Sequence, residues 1–145
     1  MLRIALLLST IAVGSVELPS YLQAQRAACS VLTLEEVRAI VTAPVDVFAA
    51  GSSAPTTSNG ITTSNCTYVM TTKNSRGARV TLMWGTSAKL SETNAYYVKR
   101  NKELSAIHGD VLILASVTQG SATGLTYDRP ASEKLLAATL KKLSP

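Results

Sequence analysis

Residues 64–84, Ser64 to Trp84 in the order SNCTYVMTTKNSRGARVTLMW, decide the fold. From Ser64 the pattern alternates, with Cys66, Tyr68 and Met70 on one face and Thr67, Val69 and Thr71 on the other, which is the two-residue period of a strand. Lys73, Asn74, Ser75, Arg76 and Gly77 supply turn chemistry. Alternation then resumes over Ala78–Trp84, with Val80, Leu82 and Trp84 on one side. Two strands joined by a short polar tip predict an antiparallel hairpin with one buried face.

On the N-terminal side of this hairpin, Cys29–Pro44 carries a helix. Thr33 with Glu36 three residues on forms a capping box, and Glu35 and Glu36 suit the positive end of the helix dipole. Leu34, Val37, Ile40 and Val41 recur at helical spacing, and Pro44 stops the run. Val45–Phe48 predicts a short strand. The Gly-, Ser-, Thr-, Ala- and Pro-rich stretch 49–60 predicts a flexible surface loop.

On the C-terminal side, Ser87 or Ser91 caps a surface helix reaching Leu104, with a thin stripe of Leu90, Tyr97 and Leu104. Val111–Val117 is an apolar run of strand length. Gly120 predicts a turn into a second strand that ends near Tyr127, with Gly124 as a bulge. Pro130 then opens a last helix with Leu135, Leu136, Leu140 and Leu143 inward, and Lys141 and Lys142 complement its negative end. The order helix, hairpin, helix, hairpin, helix predicts an α+β fold, with N-terminal, middle and C-terminal helices packed on one antiparallel sheet of two hairpins.

The first 24 residues read differently from the rest. Arg3 precedes an apolar run, Ile4–Val13, and small and polar residues follow to Ala24, the pattern of a secretory signal peptide cut after Ala24. The run is about half of what a membrane-spanning helix needs. The alternative is a lipid anchor on Cys29, read from Arg26-Ala27-Ala28-Cys29. It is disfavoured because Arg26 stands where a lipoprotein box has Leu and because the apolar run ends far upstream. Residues 25–145 are then expected to form one domain, secreted or periplasmic and monomeric.

Fourteen basic and nine acidic residues give a net charge of +5, and loss of Arg3 and Glu17 with the signal leaves it unchanged. This charge favours weak contact with anionic surfaces, and the one local charge feature read as a candidate contact is Lys73, Arg76 and Arg79 on the first hairpin. Cys29 and Cys66 are the only cysteines, and in an exported chain they are expected to pair. A reactive thiol or a metal site has no C-x-x-C spacing and a single imidazole, His108, to draw on.

Cys29-Ser30-Val31-Leu32-Thr33-Leu34-Glu35-Glu36-Val37, followed after a polar stretch by Cys66-Thr67-Tyr68, resembles small exported bacterial proteins of uncharacterised function. Those open on a C-x-L-L-T-x-E-E segment and join its cysteine to one in a C-T-Y strand. Some are actinobacterial lipoproteins with a PsbP-like architecture. The resemblance implies a helix cap, a helix face and a disulfide over Cys29–Leu143, and no catalytic residues. Ile107-His108-Gly109-Asp110 stands where such proteins have a G-L-G-D turn.

Several chemistries lack their residues. A Ser/His/Asp hydrolase would have to use His108 as its base, and no G-x-S-x-G elbow presents a nucleophile. Glu92, Glu103, Asp110, Asp128 and Glu133 are scattered along the chain, and phosphate-binding glycine loops are missing. Rings and basic residues do not interleave as nucleic-acid stacking needs, so nucleic acid is not an expected partner. Asn65-Cys66-Thr67 matches a glycosylation sequon by chance. The expected function is a secreted or periplasmic non-catalytic binding module for a small ligand or an envelope protein, without a cofactor. The alternatives are an envelope accessory subunit or enzyme inhibitor, and a small hydrolase centred on His108.

Overall fold

The computed structural model describes residues 26–70, 76–100, 103–121 and 124–144. The signal segment Met1–Ala24 and the turn residue Lys73 lie outside them. The architecture is α+β. A short 3-10 turn, Ala28–Ser30, leads into α1 (Leu34–Val41). The strands are β1 (Val45–Val47), β2 (Thr56–Ser58), β3 (Ile61–Met70), β4 (Arg76–Trp84), β5 (Leu104–His108), β6 (Val111–Ser121) and β7 (Gly124–Tyr127). α2 (Ser87–Arg100) lies between β4 and β5, and α3 (Arg129–Leu143) closes the order.

The capping box at α1 forms as expected. Thr33 Oγ1 accepts from the Glu36 N–H at 3.2 Å, and the Glu36 carboxylate accepts from the Thr33 N–H at 2.8 Å. The helix ends where Thr42 turns left-handed ahead of Pro44. The cap of α2 stands one residue before the nearer expected one: the Leu90 N–H donates to the Thr86 carbonyl at 2.9 Å, which puts Thr86 at the cap position and Ser87 first in the helix. Its end also differs, since Leu104 opens β5 and does not close the helix. In α3 Asp128 is the N-cap, its carboxylate accepting from the Ala131 N–H at 3.1 Å, and Pro130 is the second helical residue.

The seven strands of the described residues all pair antiparallel, five of them in the order β1-β3-β4-β6-β5. β2 joins β1 on the outer edge of β3, and β7 joins β5 on the outer edge of β6. The sheet is therefore larger than two hairpins. β5 pairs Leu104–His108 with Val111–Ala115 through a two-residue turn that starts at Gly109, φ 59°, the positive φ a hairpin turn of this length requires. Gly120, expected in a turn, instead pairs with Leu125 inside the ladder.

The stretch 49–60 is not a flexible loop but part of the sheet edge. Residues 49–51 form a 3-10 turn, and Thr56–Ser58 pairs with Ile61–Thr63 across Asn59-Gly60. Between β1 and β2 the segment satisfies the free edge of β3: the Phe48 N–H donates to the Thr67 carbonyl at 2.8 Å and the Ser53 N–H to the Asn65 carbonyl at 2.9 Å. Asn59 (φ 51°) and Gly60 (φ 73°) are both left-handed, as a type I′ turn needs. Gly60→Ala is expected to cost about 1 kcal/mol, because alanine is strained at positive φ. Urea unfolding checks it, and an unchanged midpoint would mean the turn relaxes freely.

β6 is buried on both faces, which explains its continuous apolar run. Val111, Ile113, Ala115 and Val117 face α1, α3 and the 3-10 turn, together with Tyr68, Ala78, Val80, Leu82 and Trp84. Leu112 and Leu114 face Leu90 of α2. The Cys29–Cys66 disulfide, with Cα atoms 5.0 Å apart, ties the 3-10 turn to β3. Such a bond belongs to an oxidising, extracytoplasmic compartment. Among the described residues no helix is long and apolar enough to cross a membrane.

Candidate functional site

The two faces of the sheet are covered unequally. α1 and α3 roof one face along its length. On the other, α2 packs only over Leu112 and Leu114, with Met83 and Tyr97 at the margin of that cluster. Two cross-strand rows lie beyond its reach. Register places Thr67, Arg79 and Ser116 side by side in the first, and Val69, Gly77 and Thr118 in the second. They floor a groove of about 710 Å³ whose walls include Tyr96, Tyr97 and Arg100 from the last turns of α2 and Leu125 from β7.

Gly77 makes the groove deep. It has no side chain in the middle of the second row, and a Cβ there would stand 3.2 Å from the Tyr68 carbonyl oxygen and 3.7 Å from Thr118 Oγ1. Arg79 is exposed, and its Nε donates to Thr67 Oγ1 at 3.4 Å. Thr67 is fixed in turn, its hydroxyl donating to the Gly51 carbonyl at 2.8 Å. Among the described residues no carboxylate pairs with Arg79.

The α2 wall is aromatic and cationic. The Tyr96 and Tyr97 rings meet edge to face with centroids 5.4 Å apart, and the Arg100 guanidinium lies 5.4 Å from the Tyr96 centroid while donating to its hydroxyl. Burial pushes the Tyr97 hydroxyl pKa up, and the negative charge of Glu103 adds to the rise. Tyr96 is 54% exposed and Leu125 75%, so both rims present apolar surface to solvent.

Of the expected basic cluster of Lys73, Arg76 and Arg79, the two described members are not brought together. Lys73 lies outside the described residues. Arg76 and Arg79 are three residues apart in a regular strand and so point to opposite faces. Arg76 reaches between α1 and α3, where it donates to the Val41 carbonyl at 2.8 Å, Thr42 Oγ1 at 3.1 Å and Asp128 Oδ2 at 3.0 Å. It is a clamp between helices. Of these two arginines, Arg79 faces the groove. Cys29 and Cys66 are bonded to each other as expected.

His108 pairs with Val111 at the opposite end of the sheet from the groove. No serine or carboxylate hydrogen bond to its imidazole exists among the described residues, and no group of three or more metal-binding side chains occurs among them. Gly77, Tyr96, Tyr97, Arg100 and Thr118 were not legible as site residues, although a glycine inside an alternating strand signals a missing wall of side chain.

Glu36, away from the groove, carries a further electrostatic feature. The Lys142 ammonium, 2.8 Å away, together with donation from the Thr33 backbone, holds its carboxyl below the ordinary carboxylate range. A lowered folded-state pKa gives stability that is complete above the unfolded value of 4.5 and is lost as pH falls through the folded value. Melting temperature is therefore expected to drop at acid pH by slightly more in the wild type than in Glu36→Gln. Parallel acid profiles of the two would refute the coupling.

Fold and groove together define an α+β architecture, stapled by one disulfide, in which part of one sheet face is not covered by the described residues. Comparison with family models, curated proteins and solved structures finds no match to this chain.

Proposed function

We propose that the chain is a non-catalytic binding module, exported by the Met1–Ala24 signal and working in secreted or periplasmic form, with the groove beside α2 as its binding site. The observation that carries this reading is the sheet face that the described residues leave uncovered. Sheets normally bury apolar rows under a helix, and here a glycine-floored hollow with aromatic and cationic walls is left open. Its size lies within the roughly 300–1,000 Å³ usual for small-molecule sites. The disulfide supports the exported setting.

The test uses the disulfide-bonded chain 25–145, immobilised and exposed to an extract of the producing cell's envelope. A companion variant, Thr118→Trp, fills the groove from its floor. A ligand or protein retained by the wild type and lost from the variant is the expected result. Equal retention by both, with both folded by circular dichroism, overturns the assignment of the groove. Intact mass of the exported protein checks the address: it should begin at Gln25, and a diacylglyceryl adduct on Cys29 would replace the soluble reading with a lipoprotein.

A further inference from the structure

Resting on the groove as the binding site, we infer that its ligand is a small organic carboxylate with an apolar body, the carboxylate held by Arg79. The groove is asymmetric in chemistry. At its inner end Arg79 stands in a row between two hydroxyl-bearing neighbours, Thr67 and Ser116. Beyond that row lie Val69 in the Gly77 row and Leu125 of β7, and the Tyr97 ring walls the inner end beside α2. A headgroup at one end and an apolar tail toward the other match this gradient.

Charge identifies the headgroup. Among the described residues four charged ones line the groove: Arg76, Arg79, Arg100 and Glu103. Arg76 is turned to the other face and bound to Asp128. Arg100 is held against Tyr96. Among the described residues Arg79 alone has a guanidinium on the floor with only a hydroxyl contact, 3.4 Å through its Nε, which leaves its two terminal amino groups for a ligand. Two parallel N–H donors fit a carboxylate in bidentate fashion, and a planar guanidinium is weakly hydrated enough to serve in a half-covered site. The net charge of +5 favours approach of an anion over a cation.

The body is set by what the walls cannot do. Val69, Leu125 and the Tyr97 ring gain by covering apolar surface, and an inorganic anion would leave them in water. A neutral amphiphile would leave Arg79 without its counter-charge under the ligand. The matched occupant has both parts.

Octanoate, octan-1-ol and acetate separate these contributions in calorimetric titrations of the disulfide-bonded chain 25–145. Octanoate is expected to bind at least about tenfold more tightly than either, since a charge-assisted contact and apolar burial each contribute at about that level. Arg79→Gln should weaken octanoate about tenfold and leave octan-1-ol unchanged. Thr118→Trp should abolish both. If octan-1-ol matches octanoate, or Arg79→Gln binds octanoate as the wild type does, the carboxylate assignment fails and the groove survives as a site. If octanoate binds equally to wild type and Thr118→Trp, the groove itself is wrong. Undetectable octanoate binding at millimolar concentration overturns the ligand class while leaving the envelope-capture result to judge the site.

Discussion

Replacing both cysteines, Cys29→Ala with Cys66→Ala, is expected to lower the stability of the folded chain by about 4 kcal/mol and its melting temperature by roughly 10–20 °C. The bond closes a loop across 37 residues of sequence, and the chain-entropy cost of leaving such a loop open in the unfolded state is about 3–4 kcal/mol. A packing loss adds to it. Cys66 is fully buried, in the same core as Ala28, Val31 and Leu32. The bond also fixes a segment with few other ties to the sheet. Ala28 donates its N–H to Ser64 Oγ at 2.9 Å, and Ser64 Oγ donates to the Ser53 carbonyl at 2.8 Å, so one serine joins the N-terminal turn to the edge segment across β3. Without the covalent link this relay is the main polar anchor of the turn, and α1 is expected to dock less firmly.

Urea unfolding of the oxidised protein, the reduced protein and the double alanine variant measures this directly. Reduced and alanine forms should both fall well below the oxidised one. A difference under about 1 kcal/mol would mean that the unfolded chain is already compact around this loop, contrary to the entropy account.

How far the sequence discloses such features depends on how local their causes are. β3, β4 and β6 are legible because buried rows impose alternation or a continuous apolar run, and α1 because its cap lies within four residues. β2 shows no apolar row, since Thr56, Thr57 and Ser58 are all exposed, yet Asn59-Gly60 is a strong hairpin signal on its own. β5 is hidden for a different reason. Leu104-Ser105-Ala106-Ile107-His108 has little strand propensity and is held in place by the buried strand it borders, so its partner and not its own residues decides. The groove is less legible still. Its floor follows from register between strands, and its opening follows from where α2 stops, neither of which is written in any one segment. Parity along β4 was available: counting back in twos from Leu82 through Val80 and Ala78 places Arg76 on the covered face. Its partner Asp128, 52 residues on, was not.

That partner sets the second large effect. Arg76→Met is expected to destabilise the protein by about 2–3 kcal/mol while keeping most of the aliphatic packing. The guanidinium joins three things that only the folded chain brings together: the last turn of α1 through the Val41 carbonyl, its left-handed cap through Thr42 Oγ1, and the N-cap of α3 through Asp128 Oδ2. The two side chains are only 25% and 22% exposed, so solvent repairs little of the loss. Methionine leaves the Asp128 carboxylate without its counter-charge and the Val41 carbonyl with only the Thr42 hydroxyl, 2.8 Å away, as a donor. Asp128 has a second duty, accepting from the Ala131 N–H, which Asn can also perform. Asp128→Asn should therefore cost about 1 kcal/mol, and Asp128→Ala about 2 kcal/mol because the cap is lost as well. In a double-mutant cycle the Arg76→Met and Asp128→Asn changes should be less than additive, with a coupling near 1 kcal/mol. The same variants judge the basic-cluster idea. If Arg76 served as a contact for anionic surfaces, Arg76→Met would retain wild-type stability and bind anionic vesicles less well, with the difference fading at high salt. A clamp between α1 and α3 gives the opposite pair of results, reduced stability and unchanged vesicle binding at temperatures where the variant is folded.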